Sequence, residues 1–267
     1  MSRSMTRRTL LASVAGLQAA APDWQSLLAR SITHDEDNLS LLRHYVFEIY
    51  DRSMPPGQRR ETQSFEVNLV GPGMYFRKLT HNDKPISPQE ATKEQTQLRA
   101  HLSQTPASDA QAPWRKEREI LKTYLATHKF RFKGEKTIDK RPVFVITSKP
   151  PAKSPPSLAY LTSAECRLSI DRETGHWVEA VCNIQDSTSF ALTQLLIGRL
   201  SLPYSSGLIN RGDISADSTL TLRLQRLEDG LWVPRISRIK GPGVLSELSF
   251  SKFRKFTSES QLLTDSQ

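Results

Sequence analysis

Cys166 and Cys182 are the only cysteines in the chain. Their setting suggests what they can do. With Glu173, Thr174 and Gly175 as a three-residue loop, and Gly175 in the left-handed position that closes such turns, the flanking residues align as a hairpin. Arg172 then faces His176, Ile170 faces Val178, Leu168 faces Ala180, and Cys166 faces Cys182. Cys166, Leu168, Ile170, Val178, Ala180, Cys182 and Ile184 fall on one face. Arg167, Ser169, Asp171, Glu179 and Asn183 fall on the other, with Trp177 and Val181 as its apolar exceptions. A single register satisfies both the alternation and the cysteine pair, as expected of a strand pair with one buried face. Facing positions favour a disulfide between Cys166 and Cys182, and two buried free thiols are the alternative. The pair is too widely spaced for a redox motif and has no companion ligands for a metal.

The remaining reactive side chains are scattered. His34, His44, His81, His101, His128 and His176 lack the i, i+2 or i, i+4 partner of a metal site, and each reads as a surface or turn histidine. Asp35, Glu36 and Asp37 form an acidic cluster between a helix and a strand, a common place for solvated acids. Asp171 and Glu179 read as ionic partners of Arg167 and its neighbours rather than as an acid/base pair. Ser205-Ser206-Gly207 is loop, without the glycine pattern of a nucleophile elbow. No phosphate-cradling glycine loop occurs. The chain therefore reads as non-catalytic, with no metal and no cofactor.

Residues 1–21 have a basic start, a short apolar run over 10–17, and Ala19-Ala20-Ala21. This is the three-part pattern of a cleaved export signal. Arg7-Arg8 resembles the twin-arginine variant. The apolar run is too short to span a bilayer. Export to the periplasm fits a disulfide, because that compartment is oxidising. The net charge is +9, of which Arg3, Arg7 and Arg8 supply three. The remaining excess is spread along the chain and mildly favours anionic partners such as phospholipid head groups. No basic run with interleaved aromatics points to nucleic acid.

Several elements would position these residues. Trp24, Leu27, Leu28, Ser31 and Ile32 recur at helical spacing, predicting a helix over 23–33 with an extension to 43 left open. Strands are expected at 44–51, 62–70 and 75–80. Ser87-Pro88-Gln89-Glu90 is a capping box with proline at the first helical position, and starts a polar surface helix over 89–102. A second helix is expected over 114–128 after a small-residue linker. Strands follow at 130–137 and 143–148, around the turn Asp139-Lys140-Arg141-Pro142. The proline-rich stretch 149–157 is an extended loop. After the cysteine hairpin, the apolar segment 190–202 fits a short helix or a buried strand. A last hairpin spans 219–227 and 231–240, and 245–256 is a final strand. Gly175-His176-Trp177-Val178 and Gly230-Leu231-Trp232-Val233 are two similar hairpin turns of one sheet.

The sum is a mainly β fold with helices (α+β). It is a curved antiparallel sheet of nine or ten strands forming an open half-barrel, its concave face covered by helices. The expected organisation is a signal at 1–21, one domain over 22–256 with a helical insertion at 88–128, and a flexible tail at 257–267.

The order of these pieces resembles the outer-membrane lipoprotein-sorting superfamily (LolA/LolB-like). The residues carrying the resemblance are Tyr75-Phe76-Arg77-Lys78-Leu79 with Asn82-Asp83-Lys84-Pro85-Ile86-Ser87-Pro88-Gln89-Glu90. Others are Phe130-Arg131-Phe132 through Arg141-Pro142-Val143, then Leu168-Ser169-Ile170-Asp171, and Gly230-Leu231-Trp232-Val233-Pro234-Arg235. The resemblance implies a periplasmic carrier whose cavity holds lipid acyl chains or a lipoprotein. It assigns no individual acyl-binding residue. On this expectation the cavity is lined by Phe47, Ile49, Phe65, Val67, Leu69, Phe144, Ile146, Ile170 and Val178. Phe190, Leu192, Leu195, Leu196 and Ile197 belong to a lid or membrane-docking segment. A monomer is expected. The reading from a different class is a periplasmic sensor or protein-interaction domain that uses the same fold without lipid. Its contact would be a sheet edge, a polar face, or the helix over 89–102.

Overall fold

The computed structural model describes residues 23–42, 44–54, 60–68, 75–103, 123–149, 164–184, 217–242 and 244–256. The expected signal, the linker before 114, the proline-rich loop, the segment 190–202 and the tail lie outside the described residues, as does Leu69.

Eleven antiparallel strands form one sheet. The N-terminal part contributes helix α1 (Trp24–Leu42), β1 (Tyr45–Met54), β2 (Glu61–Asn68), β3 (Tyr75–His81), the two-residue β4 (Lys84–Pro85) and helix α2 (Pro88–Leu102). Residues 123–127 are helical. Then follow β5 (Lys129–Ile138), β6 (Arg141–Lys149), β7 (Ala164–Asp171), β8 (Trp177–Ile184), β9 (Ser218–Arg226), β10 (Trp232–Gly241) and β11 (Val244–Lys255). Strands β5 to β11 run as a meander. β1 then pairs with β11, so the order is β4-β3-β2-β1-β11-β10-β9-β8-β7-β6-β5. The first and last strands of the chain thus meet in the middle of the sheet. The sheet is open, because its outer strands β4 and β5 do not pair with each other.

Local chemistry explains the turns. Asn82 and Asp83 both have left-handed φ (49° and 60°), and so do Asp139 and Lys140 (48° and 66°). Two successive left-handed residues make the turn whose twist suits a two-residue hairpin. The stretch 81–85, expected as a plain turn, therefore includes the short β4. In the second hairpin Ile138 pairs with Arg141 and Pro142 already belongs to β6. Gly175 has a φ of 74°, the left-handed conformation expected of it, and Gly230 has a φ of 92°.

One face of the sheet is apolar by register. Phe47 pairs with Val67, and Val67 with Phe76. Ile49 pairs with Phe250. Ala180 pairs with Leu222, Ile146 with Leu168, and Phe144 with Ile170. The buried side chains divide into two clusters. One contains Ile146, Cys166, Leu168, Ile170, Val178, Cys182 and Leu222. The other contains Phe47, Ile49, Val67, Leu248 and Phe250, with Phe65, Phe76 and Phe253 packed against it. Helix α1 sends Leu27, Leu28 and Ile32 into the first cluster and Leu42 into the second. Tyr124 joins the first cluster and donates its hydroxyl to Ser148 Oγ at 2.6 Å.

Helix α2 starts at the capping box as expected, with Glu90 N donating to Ser87 Oγ at 3.3 Å and Ser87 N donating to Glu90 Oε2 at 3.0 Å. It lies against β3: Lys78 N donates to Glu94 Oε2 at 3.2 Å, and Tyr75 Oη to the Glu94 carbonyl at 3.1 Å. A helix thus satisfies part of one exposed sheet edge, a standard protection against edge pairing.

Candidate functional site

The cysteine hairpin forms in the expected register through most of its length. Cys166 pairs with Cys182 and the two are disulfide-bonded. Leu168 pairs with Ala180 and Ser169 with Glu179. The register then shifts, and Ile170 pairs with Trp177 rather than Val178. At this bulge Val178 is the extra residue, so Trp177 and Val178 both pack in the core. Trp177 is therefore not on the polar face.

The cause lies in the turn. Asp171 N donates to the His176 carbonyl at 2.8 Å, leaving a four-residue loop instead of three. The buried Asp171 carboxylate accepts from Glu173 N at 3.1 Å, Thr174 N at 2.7 Å and Thr174 Oγ1 at 2.9 Å. An aspartate that holds its own turn in this way fixes the loop length from within.

The proposed cavity residues other than Leu69 share the apolar face and fall in two clusters. Phe47, Ile49, Phe65 and Val67 belong to the aromatic-rich cluster over β1, β2 and β11. Phe144, Ile146, Ile170 and Val178 belong to the cluster over β6–β8. Polar groups interrupt this face, Asp51 and Ser237 among them. Asp51 pairs with Leu248, which in turn pairs with Ser237. Both are buried, and Asp51 Oδ1 and Ser237 Oγ have no hydrogen-bond partner. Burial, with Glu61 adding to it, pushes the Asp51 carboxyl up to about 6. The sequence reading missed both. The signal was there in Asp51, a charged residue at the i+2 position from Ile49 on an otherwise apolar alternation.

The opposite face carries charge in a repeated arrangement. Glu179 accepts from Lys136 Nζ at 2.8 Å and Arg223 Nε at 2.9 Å. Glu66 accepts from Arg77 Nη2 at 2.7 Å and Arg254 Nη2 at 3.0 Å. Glu247 is clamped in the same way by Arg52 and Arg238. Each central carboxylate is buried between two cations. Burial works against ionised Glu179, but the bonds from Lys136 and Arg223 outweigh it and hold the carboxyl below its usual range. Lys136 on β5 reaches Glu179 on β8 above two intervening strands. A flat sheet would separate those backbones by roughly 14 Å before any offset along the strands. Glu179 takes no bond from Arg167, contrary to expectation.

Two of the six histidines come together. His34 on α1 stacks on His176 with ring centroids 4.5 Å apart, and His176 stacks on Trp232 at 5.6 Å. Arg141 lies over the far face of this group, 5.4 Å from the Trp232 ring. Burial first, and His34 next, pull His176 down to about 4. His128 is buried beside the Tyr124 ring, so it is not a surface histidine. Residues 35–37 lie within α1 rather than between elements. Among the described residues, no group of three or more His, Cys, Asp or Glu could hold a metal, and no helix is long and apolar enough to cross a membrane.

No family model and no curated protein matches the chain. Solved structures do. A LolA superfamily protein from Nitrosomonas europaea is 9% identical with a TM-score of 0.37, covering 91% of this chain and 98% of that one. A DUF1329 family protein from Desulfovibrio piger is 10% identical with a TM-score of 0.37, over 89% and 97%. A putative outer membrane lipoprotein-sorting protein domain from Vibrio parahaemolyticus is 10% identical with a TM-score of 0.36, over 88% and 99%. The resemblance read from the sequence thus meets similar names among solved structures. Scores this low say nothing of ligand or partner.

Proposed function

We propose that this protein is an exported, non-catalytic binding protein that takes acyl chains, of a lipid or of a lipidated partner, on the apolar face of its open sheet. The observation that carries the reading is the extent of that face. It runs from Phe76 on β3 to Phe130 on β5 across a sheet whose outer strands are not joined. An apolar, concave site with a few polar groups is the usual form of a small-molecule pocket. In this reading the sheet curves into a half-barrel with helices over its concave side. Phe47, Ile49, Phe65, Val67 and Leu69 line one part of the cavity, and Phe144, Ile146, Ile170 and Val178 the other. Asp51 and Ser237 meet the polar end of the ligand. The segment with Phe190, Leu192, Leu195, Leu196 and Ile197 serves as lid. The export signal read in residues 1–21 supports a periplasmic site of action, with the protein working as a monomer.

A second reading, a periplasmic sensor or protein-interaction domain, is favoured by α2. Most of that helix is exposed, with Leu98 its buried anchor. Such a polar helix on a sheet edge offers a contact for another protein.

Native mass spectrometry of the exported protein, purified without detergent and followed by organic extraction, tests the first reading. A discrete extra mass that extracts as phospholipid or acyl chain is expected. An apo mass together with no uptake of an added fluorescent fatty acid would turn the assignment to the interaction domain.

A further inference from the structure

The charged face is neutralised almost everywhere except at one end. Over β1–β3 and β8–β11 its arginines close on buried glutamates, as described above. Over β5–β7 the end at Lys136 and Arg141 is paired too, with Glu179 and Asp171, but the opposite end is not. There a cleft of about 840 Å³ is lined by Lys129, Arg131, Lys133, Lys149 and Arg167, against the single acid Glu165. Glu165 is engaged by Lys149 at 3.4 Å. Lys129, Arg131, Lys133 and Arg167 are exposed and make no ion pair among the described residues.

The register explains why they converge. Arg131 pairs with Thr147, Thr147 with Arg167, and Arg167 with Val181, giving one row across four strands. Lys129 pairs with Lys149 in the next row. The cleft lies over these two rows. Cations on an edge strand also guard it against pairing, and that alone would account for Lys129, Arg131 and Lys133. It does not account for Lys149 and Arg167, which stand one and two strands further in.

We propose that this cleft is where the protein docks on an anionic membrane, with phosphate-bearing lipid head groups seated between Arg131 and Arg167. A membrane surface presents a two-dimensional array of phosphates, and the cations here form a two-dimensional array over three strands. An acidic peptide added along β5 would align only with that strand's own cations. Val181, also in the lining, gives the cleft an apolar component that a glycerol backbone can rest on. Nucleic acid would need stacking platforms, and the one aromatic near the cleft, Phe130, packs its ring on the apolar face. The inference is independent of the acyl-chain reading, because it concerns the other face of the sheet.

The test is vesicle flotation of the whole protein at low salt, on phosphatidylglycerol and on phosphatidylcholine. The triple variant Arg131→Gln, Lys133→Gln, Arg167→Gln is compared with Lys84→Gln, Lys93→Gln, Arg99→Gln, which removes the same charge from exposed positions on β4 and α2. Wild type should float with phosphatidylglycerol alone. The cleft variant should lose about tenfold or more of that binding, and the control should keep it. Raising the salt should release the wild type. Equal loss in both variants, or no binding of wild type to phosphatidylglycerol, would overturn the proposal. So would binding of an acidic polyglutamate peptide as tightly as vesicles and lost in the same cleft variant, which would assign the cleft to an acidic protein instead. Circular dichroism of both variants checks that they fold.

Discussion

Ser31 donates its hydroxyl to the carbonyl of Gly175 at 2.5 Å, tying the middle of α1 to the turn of the disulfide hairpin. The same hydroxyl lies 3.0 Å from the Leu27 carbonyl, within α1's own backbone. Next to this tie stands the stack of His34, His176 and Trp232. The docking of α1 therefore shares its site with a titratable ring.

His176 is held near 4 in the fold against an ordinary 6.5. A proton thus binds the unfolded chain more readily. The stabilisation is present in full above about 6.5 and is lost as the pH falls towards 4. The ring is half exposed, so the loss should be about 1–2 kcal/mol rather than the full value of the shift. Melting curves between pH 7.5 and 4.5 should show it, and His176→Gln should flatten that limb. An unchanged slope in the variant would remove the histidine as its cause.

Asp51 has the opposite sign. Its carboxyl, raised to about 6 by burial and Glu61, keeps its proton longer in the fold than in the unfolded chain. Its contribution is best at low pH and declines as the pH rises from about 4 through 6. Asp51→Asn should therefore stabilise the protein at pH 7.5 by about 1–3 kcal/mol and change little at pH 4. Denaturant unfolding at the two pH values measures this. Destabilisation at both would mean that the carboxylate has a partner it needs.

The Cys166–Cys182 bond links adjacent strands across one hairpin. Closing so short a loop restricts the unfolded chain only modestly, so the gain is about 2–3 kcal/mol at most. Reduction, or the double change Cys166→Ala with Cys182→Ala, should lower the melting temperature without loss of β structure by circular dichroism. Equal melting temperatures for the oxidised and reduced protein would show that the bond adds nothing.

Lys140 occupies the second left-handed position of the β5–β6 turn, at φ 66°. Glycine suits that position, and lysine is strained there. Lys140→Gly should raise stability by about 0.5–1 kcal/mol, the relief of strain exceeding the added freedom of the unfolded chain. The midpoint of urea unfolding should rise with the slope unchanged.

The succession of strands, the capping box of α2, the turn glycine Gly175 and the pairing of Cys166 with Cys182 were legible in the sequence. They rest on local rules: period-two alternation, a serine three residues before a glutamate, and glycine where φ must be positive. The shift at Ile170 was not legible, because it depends on the Asp171 carboxylate setting the loop length, and Trp177 moved to the core with it. The junction of β1 with β11 in mid-sheet was equally out of reach, since alternation says which face a residue takes but not which strand lies beside it. The burial of Asp51 follows from that same junction. The pairing of Glu179 with Lys136 and Arg223, rather than with Arg167, depends on which strands lie beside and beyond β8, a property of all the strands together. That order of strands closes three acids into ion-pair clamps and leaves Arg131 and Arg167 lining the cleft at the β5 end.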